Sequence, residues 1–208
     1  MTRELVAAAG IIVTVSLLYP EAQGLESLRA RAKAEGGTVT VNMYADYSEY
    51  SVAQLVKRAD VIVHGRVVGV RPHLTEDEST VVTDVNIDAI QVLKQVTPVN
   101  LRARPGATVP LIVRHVGGTV VDQGLKMSTL VDAFPASEAF AVGEEVVFFL
   151  LQDASKGVFE LVDGPFAAFR VRQGKIHSLT QDAARRVPHD GPPVATFVAS
   201  IIQQIRDR

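Results

Sequence analysis

Two stretches decide the fold that we expect for this chain, SVAQLVKRADVIVHGRVVGV at residues 51–70 and STVVTDVNIDAIQVL at residues 79–93. The first stretch begins with apolar residues at helical spacing, Val52, Leu55, Val56 and Ala59, which predict a short amphipathic helix. Either Ser48 or Ser51 would be its N-cap. The helix then runs directly into a valine-rich strand, so the two stretches together predict a helix followed by an antiparallel strand pair.

The strand pair is predicted over residues 60–70 and 81–89. Gly65 and Gly69 lie inside the first strand, where glycine is typical of a bulge or a bend, and Pro72 is expected to end it. Residues 81–89 alternate strictly, with Val81, Thr83, Val85, Ile87 and Ala89 facing inward and Val82, Asp84, Asn86 and Asp88 facing outward. The acidic residues 76–78 form the expected hairpin tip.

The remaining pattern predicts one mainly β domain with short helices around it. Further strands are predicted at residues 38–43, 108–115, 144–151, 157–162, 166–171 and 175–179, with helices at residues 25–35 and from Pro193 onward. Residues 117–143 are interpreted as a long irregular loop. We therefore divide the chain into an N-terminal extension (25–47), a β-barrel domain (48–180), and a linker with a C-terminal amphipathic helix (181–208).

The first 24 residues resemble a targeting segment. Arg3 precedes an apolar run at residues 5–18, Pro20 breaks it, and Ala22-Gln23-Gly24 supplies the small residues that a signal peptidase reads. The run is shorter than the roughly 20 residues of a comfortable membrane span. Export to the periplasm or the exterior is the expectation, with an uncleaved N-terminal anchor as the alternative and the only predicted membrane contact.

Composition argues against several function classes. The chain has 208 residues, no cysteine and a net charge of −2, and its 21 Lys and Arg residues are scattered. Without a basic patch, nucleic acid is not an expected partner. Without cysteine, zinc-thiolate sites, disulfides and thiol nucleophiles are excluded.

No motif indicates catalysis or a cofactor. The sequence lacks a G-x-S-x-G elbow, a P-loop and a dinucleotide fingerprint, and its five histidines, at positions 64, 73, 115, 177 and 189, lack the spacing of a metal site. Glu144 and Glu145 are neighbours on a predicted strand and point to opposite faces, so they cannot share one substrate. We accordingly predict a non-enzymatic protein with no cofactor and no metal.

Three segments resemble the netrin-like, tissue-inhibitor-of-metalloproteinases type of OB-fold domain, as found in bacterial exported proteins of unknown function. They are LVKRADVIVHGRVVGV (residues 55–70), TDVNIDAIQVLK (residues 83–94) and FAVGEEVVFFLL (residues 140–151). The resemblance implies a partly open antiparallel barrel over about residues 51–179. The inhibitors of that family use an N-terminal cysteine to chelate the protease zinc, and that mechanism cannot be carried over to a chain without cysteine.

The functional expectation is binding of a protein or envelope partner through the loops of the barrel, namely the 71–80 hairpin and the 116–142 loop. The candidate contact residues in that loop are Gly117, Gly118, Asp122, Lys126, Met127 and Phe134. One alternative is a metalloprotease inhibitor or protease-associated module, whose partner would be a protease. The second is a hydrolase with an unrecognised site, which would place His64, His115 or His177 within hydrogen-bond reach of a carboxylate in a pocket.

Overall fold

The computed structural model describes residues 26–45, 47–48, 50–96, 101, 108–132, 140–179 and 191–207. Within them lie three helices, Leu28–Ala34 (α1), Val52–Arg58 (α2) and Val194–Arg206 (α3). The strands are Thr38–Met43 (β1), Val61–Leu74 (β2), Val81–Gln95 (β3), Val109–Val116 (β4), Gly118–Asp122 (β5), Leu125–Val131 (β6), Glu145–Asp153 (β7), Val158–Pro165 (β8), Ala168–Arg172 (β9) and Lys175–Ser178 (β10). The chain is thus mainly β with a C-terminal helix, as the sequence predicts.

The larger sheet has the strand order β10-β9-β7-β2-β3-β4-β8, and β7 also pairs with β8. Five of its strands therefore pair in a cycle, β2 with β3, β3 with β4, β4 with β8, β8 with β7 and β7 with β2. The β4–β8 pairing is parallel and the other four are antiparallel. The main hydrophobic core lies against these strands, and its largest fully buried side chains include Phe148, Phe149 and Phe169.

Two of the three irregularities in β2 fall at its glycines, and the third lies between Ile62 and Val63. The β2–β3 register shifts between His64 and Gly65 and again between Val67 and Gly69. A Cβ atom at Gly65 would lie 2.7 Å from the Cγ2 atom of Ile87, so only glycine fits where β3 crosses so closely. The predicted bend in this strand is confirmed.

The prediction that Pro72 ends β2 is wrong. Pro72 pairs with Thr83, and β2 continues to Leu74. Beyond Arg66, β2 no longer pairs with β7 and has β3 as its hydrogen-bonded neighbour. A residue without an N–H group is tolerated there because, among the strands that the structure describes, none forms a ladder with the other side of β2 at this point.

The interpretation of residues 117–143 as an irregular loop is also wrong over most of the described part. β5 and β6 form a hairpin whose turn residues, Gln123 and Gly124, have φ values of 50° and 80°. β6 then pairs in parallel with β1, which gives a second sheet of order β1-β6-β5. The predicted N-terminal extension is therefore joined to this hairpin by strand pairing.

Helix α1 packs on the second sheet and closes a small core beneath it. This core consists of five buried residues, Leu28, Ala32, Val39, Val81 and Met127. Val81 belongs to β3, so the small core connects the second sheet to the larger one. Arg29 of α1 strengthens this connection, since it donates hydrogen bonds to Glu78 at the β2–β3 tip and to Asp122 at the end of β5.

Helix α3 covers one face of the larger sheet. Its apolar stripe buries Phe197, Val198 and Ile201, and the Phe197 ring lies 5.2 Å from that of Phe169 on β9. Both faces of β7 are consequently buried, which explains its continuous apolar sequence. Among the described helices, none has the length and apolar content that spanning a membrane would require. The predicted targeting segment and most of the predicted linker lie outside the described residues.

Candidate binding cleft

A cleft of about 1020 Å³ lies where the β2–β3 hairpin, the end of β1 and the β7–β8 turn come together. The hairpin forms one wall, with residues His73, Leu74, Thr75, Glu76, Asp77 and Ser79. Residues 43–45 and Tyr47 form the opposite wall, while Ser155, Lys156 and Glu160 close one end. The floor combines strand residues from both sheets, Val82, Arg114, His115, Val116, Val131 and Leu161. A lining that combines apolar side chains with a few polar and charged groups is typical of a binding site.

The hairpin wall is held in shape by Asp77. Its Oδ1 atom accepts hydrogen bonds from the hydroxyl of Thr75 at 2.6 Å and from the backbone N–H of Ser79 at 3.1 Å. The hydrogen bond from Thr75 and then those from Ser79 lower the pKa of the Asp77 carboxyl below its ordinary value. The bonds from Arg29 to Glu78 and Asp122 fix the same tip against α1. The acidic tip is therefore an ordered wall, although the sequence suggests only a solvated turn.

A charged network crosses the outer surface of β2, β3 and β4 at the cleft floor. Arg114 donates two hydrogen bonds to Asp84, at 2.7 and 2.9 Å, and His73 lies 3.1 Å from the same carboxylate. Burial raises the pKa of Asp84, but the hydrogen bonds and charge of Arg114 outweigh it, so its pKa lies below the ordinary value. The carboxylate is thus ionised near neutral pH and holds the Arg114 guanidinium and the His73 ring in place.

The geometry of His73 limits what it can do. Its Nε2 atom faces the Asp84 carboxylate, and its Nδ1 atom lies 3.0 Å from the carbonyl oxygen of Leu74. Both partners are acceptor groups of the protein itself. Each ring nitrogen of His73 is therefore directed at a neighbouring group of the β2–β3 wall.

His115 lies deeper in the floor. Its Nδ1 atom is 3.0 Å from the carbonyl oxygen of Val116, and its ring meets that of Phe140 edge-on at 5.9 Å. Burial lowers the pKa of His115. The residue therefore contributes an uncharged ring to the floor near neutral pH.

The opposite wall carries two tyrosines, one exposed and one half-buried. Tyr44 directly follows β1 and exposes 70% of its surface. Tyr47 is half-buried against Phe166, and burial together with the negative charge of Asp163 raises its pKa. Its ring lies so close to Gly164 that a Cβ atom there would come within 2.2 Å. Tyr47 is thus a fixed part of the wall, and Tyr44 is the aromatic side chain that a ligand can reach.

The structure places the candidate contact residues of the 116–142 loop in different environments. Gly117 and Gly118 connect β4 to β5 beside the cleft, and both have positive φ values. Asp122 is bound by Arg29, Lys126 is exposed on β6, and Met127 is completely buried in the small core. Phe134 lies outside the described residues. None of these residues lines the cleft among the described residues, whereas their neighbours Val116 and Val131 do.

The histidines named for the hydrolase alternative also lie in different parts of the structure. The Nε2 atom of His64 lies 2.6 Å from Glu145, but neither residue belongs to the cleft lining. His177 lies on β10 opposite Arg170, away from the cleft. His189 is outside the described residues. Within the described part of the chain, no three potential metal ligands come together.

The sequence had no signal that singled out the charged network of Asp84, Arg114 and His73. Asp84 and Arg114 are 30 residues apart and meet only because β3 and β4 pair at that register. His73 follows the proline that was expected to end β2, so its position on the strand was not foreseen. Comparison with known proteins adds no assignment, since no protein-family model and no curated protein matches the chain.

Proposed function

We propose that this chain is an exported, non-enzymatic binding protein that holds a segment of a protein partner in the cleft between the β2–β3 hairpin and residues 43–47. The cleft itself is the observation that carries this proposal. Its volume of about 1020 Å³ is at the upper end of the range for ligand sites, and its mixture of apolar and charged side chains suits a peptide segment that presents both kinds of side chain.

Within this proposal, the five cyclically paired strands form a partly open barrel of the OB or netrin-like type. The support is the pairing pattern, in which β4 and β8 are parallel and the other four pairs are antiparallel. The glycine-dependent bend of β2 supplies the curvature that closure requires. Export rests on the targeting pattern of residues 1–24, and mass spectrometry of the mature N-terminus would test it.

Binding is favoured over hydrolysis by the hydrogen bonds of His73. His73 lines the cleft and approaches the carboxylate of Asp84. Its two ring nitrogens face Asp84 and the carbonyl of Leu74, so both are directed at groups of the wall that it holds in place. A hydrolase would need this group to be open toward a nucleophile.

Two exposed residues on β4 offer a matched test. Val116 exposes 39% of its surface and lines the cleft, and Ile112 exposes 40% on the same face of the same strand but lies outside it. A photo-crosslinking amino acid at Tyr44 would report occupancy of the cleft in the native host. We expect Val116→Arg to lower the yield of crosslinked partner at least fivefold, because a charge replaces part of the apolar floor.

The matched variant Ile112→Arg adds the same charge without touching the cleft and is expected to leave the yield unchanged. A crosslinker at Lys57, which is exposed on α2 away from the cleft, reports nonspecific adducts. Equal yields in the two arginine variants, or the same adducts from Lys57, would overturn the proposal that the cleft binds the partner.

A further inference from the structure

We propose that β1 is the docking edge for the partner, and that an extended peptide segment adds to it as a fourth strand of the β1-β6-β5 sheet. This inference rests on the proposed function and specifies how the partner segment is held. The occupant is a stretch of about six residues in β conformation, because β1 itself is six residues long. The main recognition is by backbone hydrogen bonds, with the end of the segment entering the cleft.

Alternate residues of β1 form the backbone hydrogen bonds to β6. Lys126 donates its N–H to the carbonyl of Gly37, and Asp132 donates its N–H to that of Met43, so the two ends of the parallel ladder are fixed. In a parallel ladder, the residues of one strand that bond to the neighbour alternate along the chain. The odd-numbered residues of β1 therefore bond to β6, and Thr40 and Asn42 direct their N–H and C=O groups to the other edge.

That other edge is accessible. Within the described residues no strand pairs with it, and Thr40 and Asn42 are both exposed. Helix α1 packs on the face of the sheet that carries Val39 and Met127, which leaves the edge uncovered by that helix. The free groups repeat at the spacing of an extended chain, and another extended backbone is the ligand whose donors and acceptors match them in register.

The sequence of β1 lacks the features that usually protect an edge strand. Exposed edges are commonly blocked by lysine, proline or a bulge, because an open ladder invites pairing with other chains. Residues 38–43 read TVTVNM, with no charge and no proline, and their register with β6 is continuous. Two of the six are valine and two are threonine, which favour strand structure.

The position of β1 connects this edge to the cleft. The strand ends at Met43, and residues 43–45 then form the cleft wall opposite the β2–β3 hairpin. A segment paired along β1 would therefore continue past the exposed ring of Tyr44 and over the apolar floor at Val116 and Val131. Since β1 carries no charge, we expect its occupant to be uncharged where it pairs and to place any charged side chains at the cleft end.

The test uses linear 12-residue peptides displayed on phage and selected against the folded protein. The enriched sequence is synthesised, and its affinity is measured by fluorescence polarisation for wild type, Thr40→Pro and Thr40→Val. Proline removes the N–H that faces the free edge, whereas valine changes the exposed side chain and keeps the backbone intact. We expect at least a tenfold loss of affinity for Thr40→Pro and a change of less than twofold for Thr40→Val.

A second arm leaves the protein unchanged, in case the proline variant fails to fold. N-methylation of alternate amides of the peptide is expected to abolish binding in one of the two alternating sets and to spare it in the other. The inference would be overturned if the two methylated sets bind equally well and the two Thr40 variants also bind the peptide equally well. A selection that enriches no peptide would overturn it too. A third outcome is that wild type forms a dimer, Thr40→Pro does not, and no peptide is enriched. The occupant of the edge would then be a second copy of the chain, and the inference would also be overturned. Failure of the cleft proposal is recognised separately, from equal crosslinking of the Val116 and Ile112 variants.

Discussion

Replacement of Met127 by alanine distinguishes a structural role from the contact role that its sequence position suggests. Met127 is completely buried among only five core residues beneath α1. Truncation of a buried methionine to alanine costs about 2–5 kcal/mol, as lost transfer free energy plus the cavity that remains. Because the small core lies near the surface and can partly collapse, we expect the lower part of that range, about 2–3 kcal/mol.

For a chain of this size, that loss corresponds to a decrease in Tm of about 5–10 °C. The measurement is thermal unfolding followed by circular dichroism, with urea unfolding to obtain the free energy. Met127→Leu preserves most of the volume and should cost less than about 1.5 kcal/mol. The neighbouring Lys126→Ala is exposed and should change stability by less than about 0.5 kcal/mol. A Met127→Ala protein that melts like wild type but loses its partner would refute this reasoning and make Met127 a contact residue.

Three further substitutions test local features. Ser51→Ala removes the capping box with Gln54 at the start of α2 and should cost about 1 kcal/mol in urea unfolding; a cost near zero would contradict the capping role. Gly118→Ala requires an alanine at a φ of 137° with its Cβ 2.5 Å from the Thr83 hydroxyl, so we expect a loss of about 1–3 kcal/mol, and wild-type stability would show that the close approach is absent. Asp84→Asn should destabilise the protein at pH 7, because Arg114 loses its ionic partner. The folded-state pKa of Asp84 is below the ordinary value of 3.8, so the stabilisation is present above that pH and is lost as the pH falls through the folded-state pKa. A difference in stability between the two proteins that does not shrink as the pH is lowered below 3.8 would contradict the assignment.

The elements with strong local signals could be predicted from the sequence. The helical stripe of α2, the alternation of β3 and the apolar run of β7 each report one dominant burial pattern, and the structure has strands or helices at these places. Gly65 could be interpreted because its lack of a Cβ has a single structural use in a strand. These signals depend on neighbours within a few residues, which is why a single sequence reveals them.

The β5–β6 hairpin was missed because its signals are weaker than those of the other strands. Its turn is Gln123-Gly124, whereas Asn-Gly or Asp-Gly is the usual indication of a two-residue hairpin. β6 also has three consecutive buried residues, Met127, Ser128 and Thr129, so its alternation is interrupted. Two of these three are polar: Thr129 accepts a hydrogen bond from the backbone N–H of Val81 on β3, and the hydroxyl of Ser128 lies 3.0 Å from that of Thr119 on β5. No local pattern contains these partners.

The cleft could not be predicted for a related reason. Its lining comes from five separate parts of the chain, and the residues that meet in it share no motif. The ionic contact between Asp84 and Arg114 depends on the register of two strands, and the position of His73 depends on a proline being tolerated where β2 has only one ladder. Register and neighbour identity are properties of the assembled sheet.

The parallel pairing of β1 with β6 also has a consequence for the order in which the protein folds. Thr38 pairs with Lys126, so β1 is made early in synthesis but its partner strand emerges much later. Contacts so distant in sequence carry a large loop-closure entropy and form slowly. The hairpins β2–β3 and β5–β6 have short connections and can form first, and their association creates the surface on which α1 and β1 then dock. The segment that contains β1 is therefore expected to be the last part of the described chain to become protected from hydrogen exchange during refolding.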